Sequence, residues 1–219
     1  MDRIVDLSLA YQEGMRGVRI DQAKTLESDG WNARTLSLYS HAGTHMDAQT
    51  HFGCGSETID ALPLERCMAP SWVVPMEDHE DGAPILISDL GTVAKVFRPG
   101  EGLLLRTNWS RHVHDPAHYR DHFPRISEEL AHWCVEREVR LLGVESPSVA
   151  DVNDLPELTR IHRILLEAKV TIVEGLTNLS ALRQPKVFFV AAPLRIADGD
   201  GSPCRAFAVE GEHEPWKLV

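Results

Sequence analysis

Between positions 41 and 51 the chain gathers three histidines and one aspartate: His41, His45, Asp47 and His51. Imidazole nitrogens and a carboxylate suit zinc, manganese or iron(II), all of which accept mixed nitrogen and oxygen ligands. The spacings are even, so an extended strand would aim all four side chains at one face. A helix would scatter them, and Gly43 with Thr44 disfavours one. Gly43 lets the backbone fold closely round an ion, and the Thr44 hydroxyl could orient a ligand from behind. The competing reading is a solvated histidine-rich loop, or histidines satisfied within a core. Four donors on one face, preceded by a strand and followed by Phe52-Gly53, favour a metal. Three protein ligands with an open position mark a catalytic rather than a structural site. The spacing also differs from the metalloprotease helix pattern, which has a glutamate directly after its first histidine.

The chemistry expected of such a site is hydrolysis. A divalent ion lowers the pKa of water from 15.7 to about 7, giving hydroxide able to attack an amide, formamide, lactam or ester carbonyl. A histidine beside the ion, with an ordinary pKa near 6.5, could pass a proton to the leaving group. No G-x-S-x-G elbow and no glycine-rich phosphate loop compete with this reading. Glu174 ends a buried apolar run, where an acid needs a partner or a metal. Cys54, near the histidines, reads as a small buried residue rather than a soft ligand. The four histidines of Arg111–His122 are irregularly spaced and read as a surface loop or lid. Among Trp31, Phe52, Trp72, Trp109 and Phe123, Phe52 is the candidate substrate-binding ring because it adjoins His51. Ser148 or Asp151 could support the site or cap a turn.

The elements that must position these groups are short. Ile4–Leu9 and Arg34–Tyr39 alternate like half-buried strands, and Trp72–Met76, Gly102–Arg106, Arg140–Val144, Val170–Val173 and Val187–Ala192 read as buried ones. Two segments read as helices. Glu128–Glu136 follows the capping Ser127, and Pro156–Ala168 places Leu158, Ile161, Leu165 and Ala168 at helical spacing. Each helix precedes an apolar strand, so the expected fold is α/β: a mixed β-sheet or small β-barrel with packed helices. With 219 residues and no linker or repeat, one domain over 1–219 is expected. The composition, 43% hydrophobic and 25% charged, is that of a globular protein. A net charge of −11 argues against nucleic-acid or anionic-lipid partners. No apolar run approaches the roughly 20 residues of a membrane span, and no signal-peptide core follows Met1, so a cytoplasmic location is expected. The four cysteines form no CxxC pair and no disulfide framework.

The segment His41-Ala-Gly-Thr-His45-Met-Asp47-Ala-Gln49-Thr-His51-Phe52 resembles the signature H-x-G-T-H-x-D-x-P-x-H-F of the cyclase family of metal-dependent hydrolases, which includes bacterial kynurenine formamidases and isatin hydrolases. Gln49 stands where the family has proline. Asp6-Leu7-Ser8 is similar to the family's opening strand and Arg106-Thr-Asn-Trp109-Ser to its central motif. Gly143-Val-Glu-Ser-Pro-Ser-Val149 is similar to G-[IV]-D-x-x-S-[VI], with Glu145 in place of aspartate. His162, followed by Glu174-Gly-Leu-Thr-Asn-Leu179, fits H-x11-E-G-L-x-N-L. The stretch Tyr11–Arg19 lacks the proline- and glycine-rich segment of the kynurenine formamidases.

The resemblance implies a swivelling β/β/α fold and a metal centre. His41, His45 and Asp47 would hold a first ion. Asp47 would bridge to a second ion on His162 and Glu174. His51 would be acid/base or ligand. His162, read without the resemblance, is a partly exposed helical histidine. The ion would be zinc, or else manganese, at one or two per chain, and the assembly a homodimer or larger. The expected substrate is a small amide, either an aryl formamide such as N-formylkynurenine or a cyclic amide such as isatin. The alternatives are a lactone or ester hydrolase, a non-catalytic metal-binding protein on the same fold, and an iron(II) oxygenase.

Overall fold

The computed structural model describes residues 2–76 and 79–211. Its elements, in chain order, are β1 (Arg3–Asp6), β2 (Val18–Lys24), α1 (Leu26–Asp29), β3 (Ala33–Leu38), β4 (His45–Asp47), β5 (Met68–Pro75), β6 (Pro84–Ile85), α2 (Val93–Val96), β7 (Gly102–Arg106), α3 (Pro116–Asp121), β8 (Arg125–Ile126), α4 (Glu128–Glu136), β9 (Leu141–Val144), α5 (Leu155–Glu167), β10 (Thr171–Glu174), β11 (Lys186–Pro193) and β12 (Gly201–Glu210). The main sheet runs β12-β11-β5-β7-β9-β10-β4, and β4 pairs back to β12, which closes a seven-stranded barrel. β1 extends it along the far half of β12, from Arg3 opposite Glu210 to Asp6 opposite Phe207. β5, β7, β9 and β10 run parallel, whereas β11, β12 and β4 are antiparallel to their neighbours. This is the mixed sheet closed into a small barrel that the sequence leads one to expect.

The parallel strands are mostly apolar because both faces are covered. Leu104, Leu141 and Val173 point into a core shared with Leu7, Met46, Val187 and Phe189. Their neighbours Leu103, Leu105, Leu142 and Ile172 point the other way, onto Leu130 and Trp133 of α4 and Ile161 and Leu165 of α5. The Ser127 hydroxyl caps α4 by accepting from Leu130 N at 3.1 Å, and the Asp154 carboxylate caps α5 by accepting from Glu157 N at 3.1 Å. α5 ends at Glu167, and Ala168, read as part of its apolar face, is exposed beyond it.

One strand departs from the expectation of half-burial. Among the described residues β3 pairs only with β2, in a two-stranded ribbon off the barrel, and neither of its faces meets a core. Leu36 is 57% exposed and Tyr39, just past the ribbon, 55%. Alternation is a local pattern and cannot report whether a second layer exists to cover it. Among the described residues no helix is long and apolar enough to cross a membrane.

Candidate metal centre

The candidate ligands meet where the barrel closes. β4 lies between β10 and β12, with His45 opposite Glu174 on one side and opposite Pro203 on the other. Alternation along β4 sends Met46 into the core, fully buried, and turns His45 and Asp47 to the opposite face. Glu174 is the last residue of β10, so its carboxylate reaches the same face.

Only His45–Asp47 is extended, which corrects the reading of the whole 41–51 segment as one strand. His41 precedes it in a turn, and His51 follows on the short 3-10 turn Gln49–Phe52. The chain doubles back instead of running straight, and the His41 and His51 rings stack at 3.8 Å. Close backbone approach makes this possible. Gly175, at φ +65°, lies against Gly43, and a Cβ there would fall 2.3 Å from the Gly43 carbonyl oxygen. Thr44 Oγ1 donates to Gly175 O at 2.5 Å and accepts from Leu9 N at 2.8 Å, tying the ligand turn to β10 and the N-terminal segment.

His162 arrives from α5. It is 2% exposed, not the partly exposed histidine that its helix position suggests, because it lies on the face of α5 that packs against the barrel. Its Nδ1 contacts Leu158 O at 2.7 Å, and His45 Nδ1 contacts Gly43 O at 3.0 Å. A proton on each Nδ1, donated to a carbonyl, leaves each Nε2 with a bare lone pair. Those Nε2 atoms face carboxylates. His45 Nε2 lies 3.1 Å from Glu174 Oε2 and 3.8 Å from Asp47 Oδ1. His162 Nε2 lies 3.4 Å from Glu174 Oε1 and 3.6 Å from Asp47 Oδ2.

The donor set fits divalent ions. Asp47 Oδ2 is buried with no hydrogen-bond partner among the described residues, a costly state unless a cation faces it. Two ligands on a tetrahedral zinc, each about 2.0–2.1 Å from it, sit about 3.3 Å apart. The distances above, from 3.1 to 3.8 Å, bracket that edge. Two groups can each converge on an ion: His41, His45 and Asp47, and Asp47, His162 and Glu174. Glu174 presents one oxygen to each side, as Asp47 does, so both carboxylates stand between the two positions.

The sequence reading missed Asp200. Its Oδ2 lies 3.1 Å from His41 Nε2 and 3.7 Å from His51 Nδ1, and these three residues form a third possible ligand group. Asp200 sits in the turn before β12, and the β12–β4 pairing delivers it to the site. An acid among glycines carries no local sign of such a role. The next residue gives a hint: a Cβ at Gly201 would fall 2.5 Å from His41 Cε1, so only glycine fits beside the ring.

Burial and charge pull on these groups in opposite directions. Burial is the largest single influence on His41 and disfavours the imidazolium, but the hydrogen bonds and charges of Asp47 and Asp200 together outweigh it and raise the pKa to about 9. His45 and His162 are likewise held above the ordinary value, burial being overcome by Glu174 and Asp47 together. Asp47 is pushed well below the carboxylate range despite its burial, because three histidines surround it, and Glu174 is also lowered. His51 goes the other way: burial lowers its pKa, so it is neutral at neutral pH.

A cavity of about 600 Å³ opens over the histidines. Leu9, Met15, Tyr39, Phe52 and Tyr119 line it. Phe52 stacks on the His162 ring at 4.4 Å and meets His51 edge-on at 4.4 Å. The histidine-rich stretch forms a 3-10 turn, Trp109–His112, and then α3, and it walls the cavity with Val113, Pro116 and Tyr119. Among the other aromatics Trp109 and Phe123 are buried in the core, Trp31 is exposed, and Trp72 donates to Glu101 at 2.6 Å; none lines the cavity. Cys54 donates weakly to Gln49 O at 3.4 Å and joins no ligand group. Ser148 lines the cavity, whereas Asp151 caps the turn at Asn153. Glu145 is buried, accepts from Ser110 Oγ at 3.1 Å, and is raised by burial.

Comparison with known proteins agrees with this architecture. The Cyclase family model, described as "Putative cyclase", matches residues 5–151. The kynurenine formamidase of Bacillus anthracis is 29% identical over 183 residues, covering 82% of this chain and 81% of that protein. That of Salinibacter ruber (strain DSM 13855 / M31) is 30% identical over 178 residues, covering 80% and 78%. Isatin hydrolase A from Ralstonia solanacearum superimposes with a TM-score of 0.83 at 25% identity, covering 96% of this chain and 92% of that one. With the family model spanning the opening strand, the His41–His51 motif and the Glu145 segment, the chain belongs to the cyclase family.

Proposed function

We propose that this chain is a divalent-metal-dependent hydrolase that cleaves the carbon–nitrogen bond of a small amide, an aryl formamide of the N-formylkynurenine type or a cyclic amide of the isatin type. One observation carries the reading. Two buried histidines aim their Nε2 atoms at both oxygens of two buried carboxylates, beside a cavity sized for a small molecule. His41, His45, Asp47, His162 and Glu174 would hold the ions, zinc first and manganese as the alternative, at one or two per chain. A bound divalent ion supplies a Lewis acid for the carbonyl and makes water acidic enough to act near neutral pH.

The protein's own groups do the rest. Phe52 offers a flat face to an aryl ring beside the histidines. His51, neutral and at the cavity wall, accepts a proton at one ring nitrogen and returns it to the leaving amine. Leu9, Met15 and Tyr119 keep the amide in an apolar enclosure, where these polar groups act more strongly than in water. The whole chain, 1–219, is taken as one catalytic domain acting in the cytoplasm. Trp31, Leu36 and Tyr39, exposed on and beside the ribbon, support self-association into a homodimer.

The test is elemental analysis of the purified protein, with turnover of N-formylkynurenine and isatin measured on the same sample. One or two zinc or manganese ions per chain, with activity lost to a chelator, are expected. Protein that takes up no divalent ion under any loading condition overturns the reading.

A further inference from the structure

We infer that Gln49 is a positioning residue that ties the two halves of the metal centre together, a task specific to a chain with glutamine at this position. The inference rests on the reading of the centre as a two-ion site. Gln49 lies between Asp47 and His51 and is 9% exposed. Its Nε2 donates to Leu166 O at 2.9 Å. Leu166 stands one helical turn beyond His162 on α5, so this amide adds a hydrogen bond to the Phe52–His162 stack that joins the ligand segment to the helix.

The rest of the side chain is equally fixed. Its Oε1 accepts from Glu57 N at 3.4 Å. Gly55 packs so closely that a Cβ there would fall 2.2 Å from that oxygen. The backbone on either side, meanwhile, is held by other means: Ala48 N donates to Asp200 O at 2.9 Å and His51 N to Ala48 O at 3.0 Å. The amide is therefore not needed to form the turn. What it adds is a contact across to α5. Leu166 O also accepts from Lys169 N at 3.0 Å, so loss of the amide leaves no orphaned carbonyl and need not unfold the helix.

Proline at this position could stiffen the turn but has nothing to donate to Leu166. The tie acts on the distance between Asp47 and His162, which converge on the same side of the centre. Loosening it weakens that position more than the one formed by His41 and His45.

The experiment is a stepwise zinc titration against a chromophoric chelator, with thermal melting of the metal-free protein as control. The step belonging to His162 is identified as the one that His162→Ala abolishes. Gln49→Met keeps the length and removes both polar atoms, and Gln49→Glu keeps an acceptor for Glu57 N but loses the donor. Both variants are expected to weaken the His162 step by about tenfold, the low end for partners that orient a metal ligand, and to leave the other step unchanged. Equal affinities in wild type and both variants overturn the inference. Parallel weakening of both steps with a lowered melting temperature also overturns it, since that marks general loosening. If only one ion binds and His162→Ala leaves it in place, the tie has no such role. Wild-type protein that binds no zinc refutes the metal centre itself, a separate outcome.

Discussion

Replacing Asp200 distinguishes two ways in which His41 can face an ion. His41 Nδ1 lies 2.8 Å from Asp47 Oδ1, and its Nε2 lies 3.1 Å from Asp200 Oδ2. If Nδ1 is the ligand atom, Asp200 holds the Nε2 proton and fixes the ring, and its loss must weaken the metal. Asparagine keeps an acceptor but loses the charge. A hydrogen bond to a charged group contributes roughly 1.5–3 kcal/mol against roughly 0.5–1.5 for a neutral one. Because the Asp200 side chain is 49% exposed, solvent screening puts the difference at the low end. That is about 1 kcal/mol, or about fivefold in zinc affinity. Alanine removes the partner of an imidazole whose side chain is only 7% exposed, at about 2 kcal/mol, or about thirtyfold. The assay is zinc competition against a chromophoric chelator, with kcat/KM measured on fully loaded enzyme. Wild-type affinity in both variants would refute the argument and would mean that His41 turns Nε2 to the ion, displacing Asp200.

Other outcomes follow from the same geometry. His45→Ala is expected to abolish metal uptake and hydrolysis, whereas His51→Ala keeps the metal and loses about 10²–10⁴-fold in kcat; metal content and turnover measured together separate the two, and an active His45→Ala sinks the metal mechanism. In chelator-treated protein the pKa of His41 stands near 9, above its ordinary 6.5. Its contribution to stability is complete below about pH 6.5 and disappears as pH rises through about 9, amounting to at most about 3 kcal/mol, with His45 and His162 acting in the same direction. Urea melts at pH 6 and 9.5 check this, and stability that holds or rises across the range contradicts it. Gly175→Ala places a Cβ 2.3 Å from Gly43 O at a positive φ, and should cost about 3 kcal/mol or more, read as a lower melting temperature with zinc uptake impaired.

How far the sequence reveals the protein depends on the range of the physics involved. The buried strands were legible because parallel strands covered on both faces read as continuous apolar runs, as in Gly102–Arg106. The histidine motif was legible because its members lie within one short stretch. Its conformation was not: the doubling back of His41 onto His51 depends on Gly175 and Gly201, glycines far along the chain that leave room for it. The burial of His162 follows from which face of α5 meets the barrel, and helical periodicity alone left that residue at the margin of the apolar stripe. Asp200 was invisible for a similar reason, since only the pairing of β12 with β4 brings it near a histidine. The ribbon departs in the opposite sense: its alternation promises a covering layer, and among the described residues no second layer packs on it.

The strand that closes the barrel also sets an order of events. β12 supplies the partner for β1 at one end and for β4 at the other, so the first strands to be synthesised wait for the last described one. At roughly 5–20 residues per second that wait is on the order of ten seconds. During it the nascent chain exposes His41, His45 and His51 without Glu174 or Asp200 beside them. An imidazole-rich segment in that state favours copper or nickel by affinity alone. The finished barrel adds Glu174 and Asp200 to Asp47, the one carboxylate that the motif carries itself. A fragment ending before Gly201 therefore carries the motif without the strand that holds it in place.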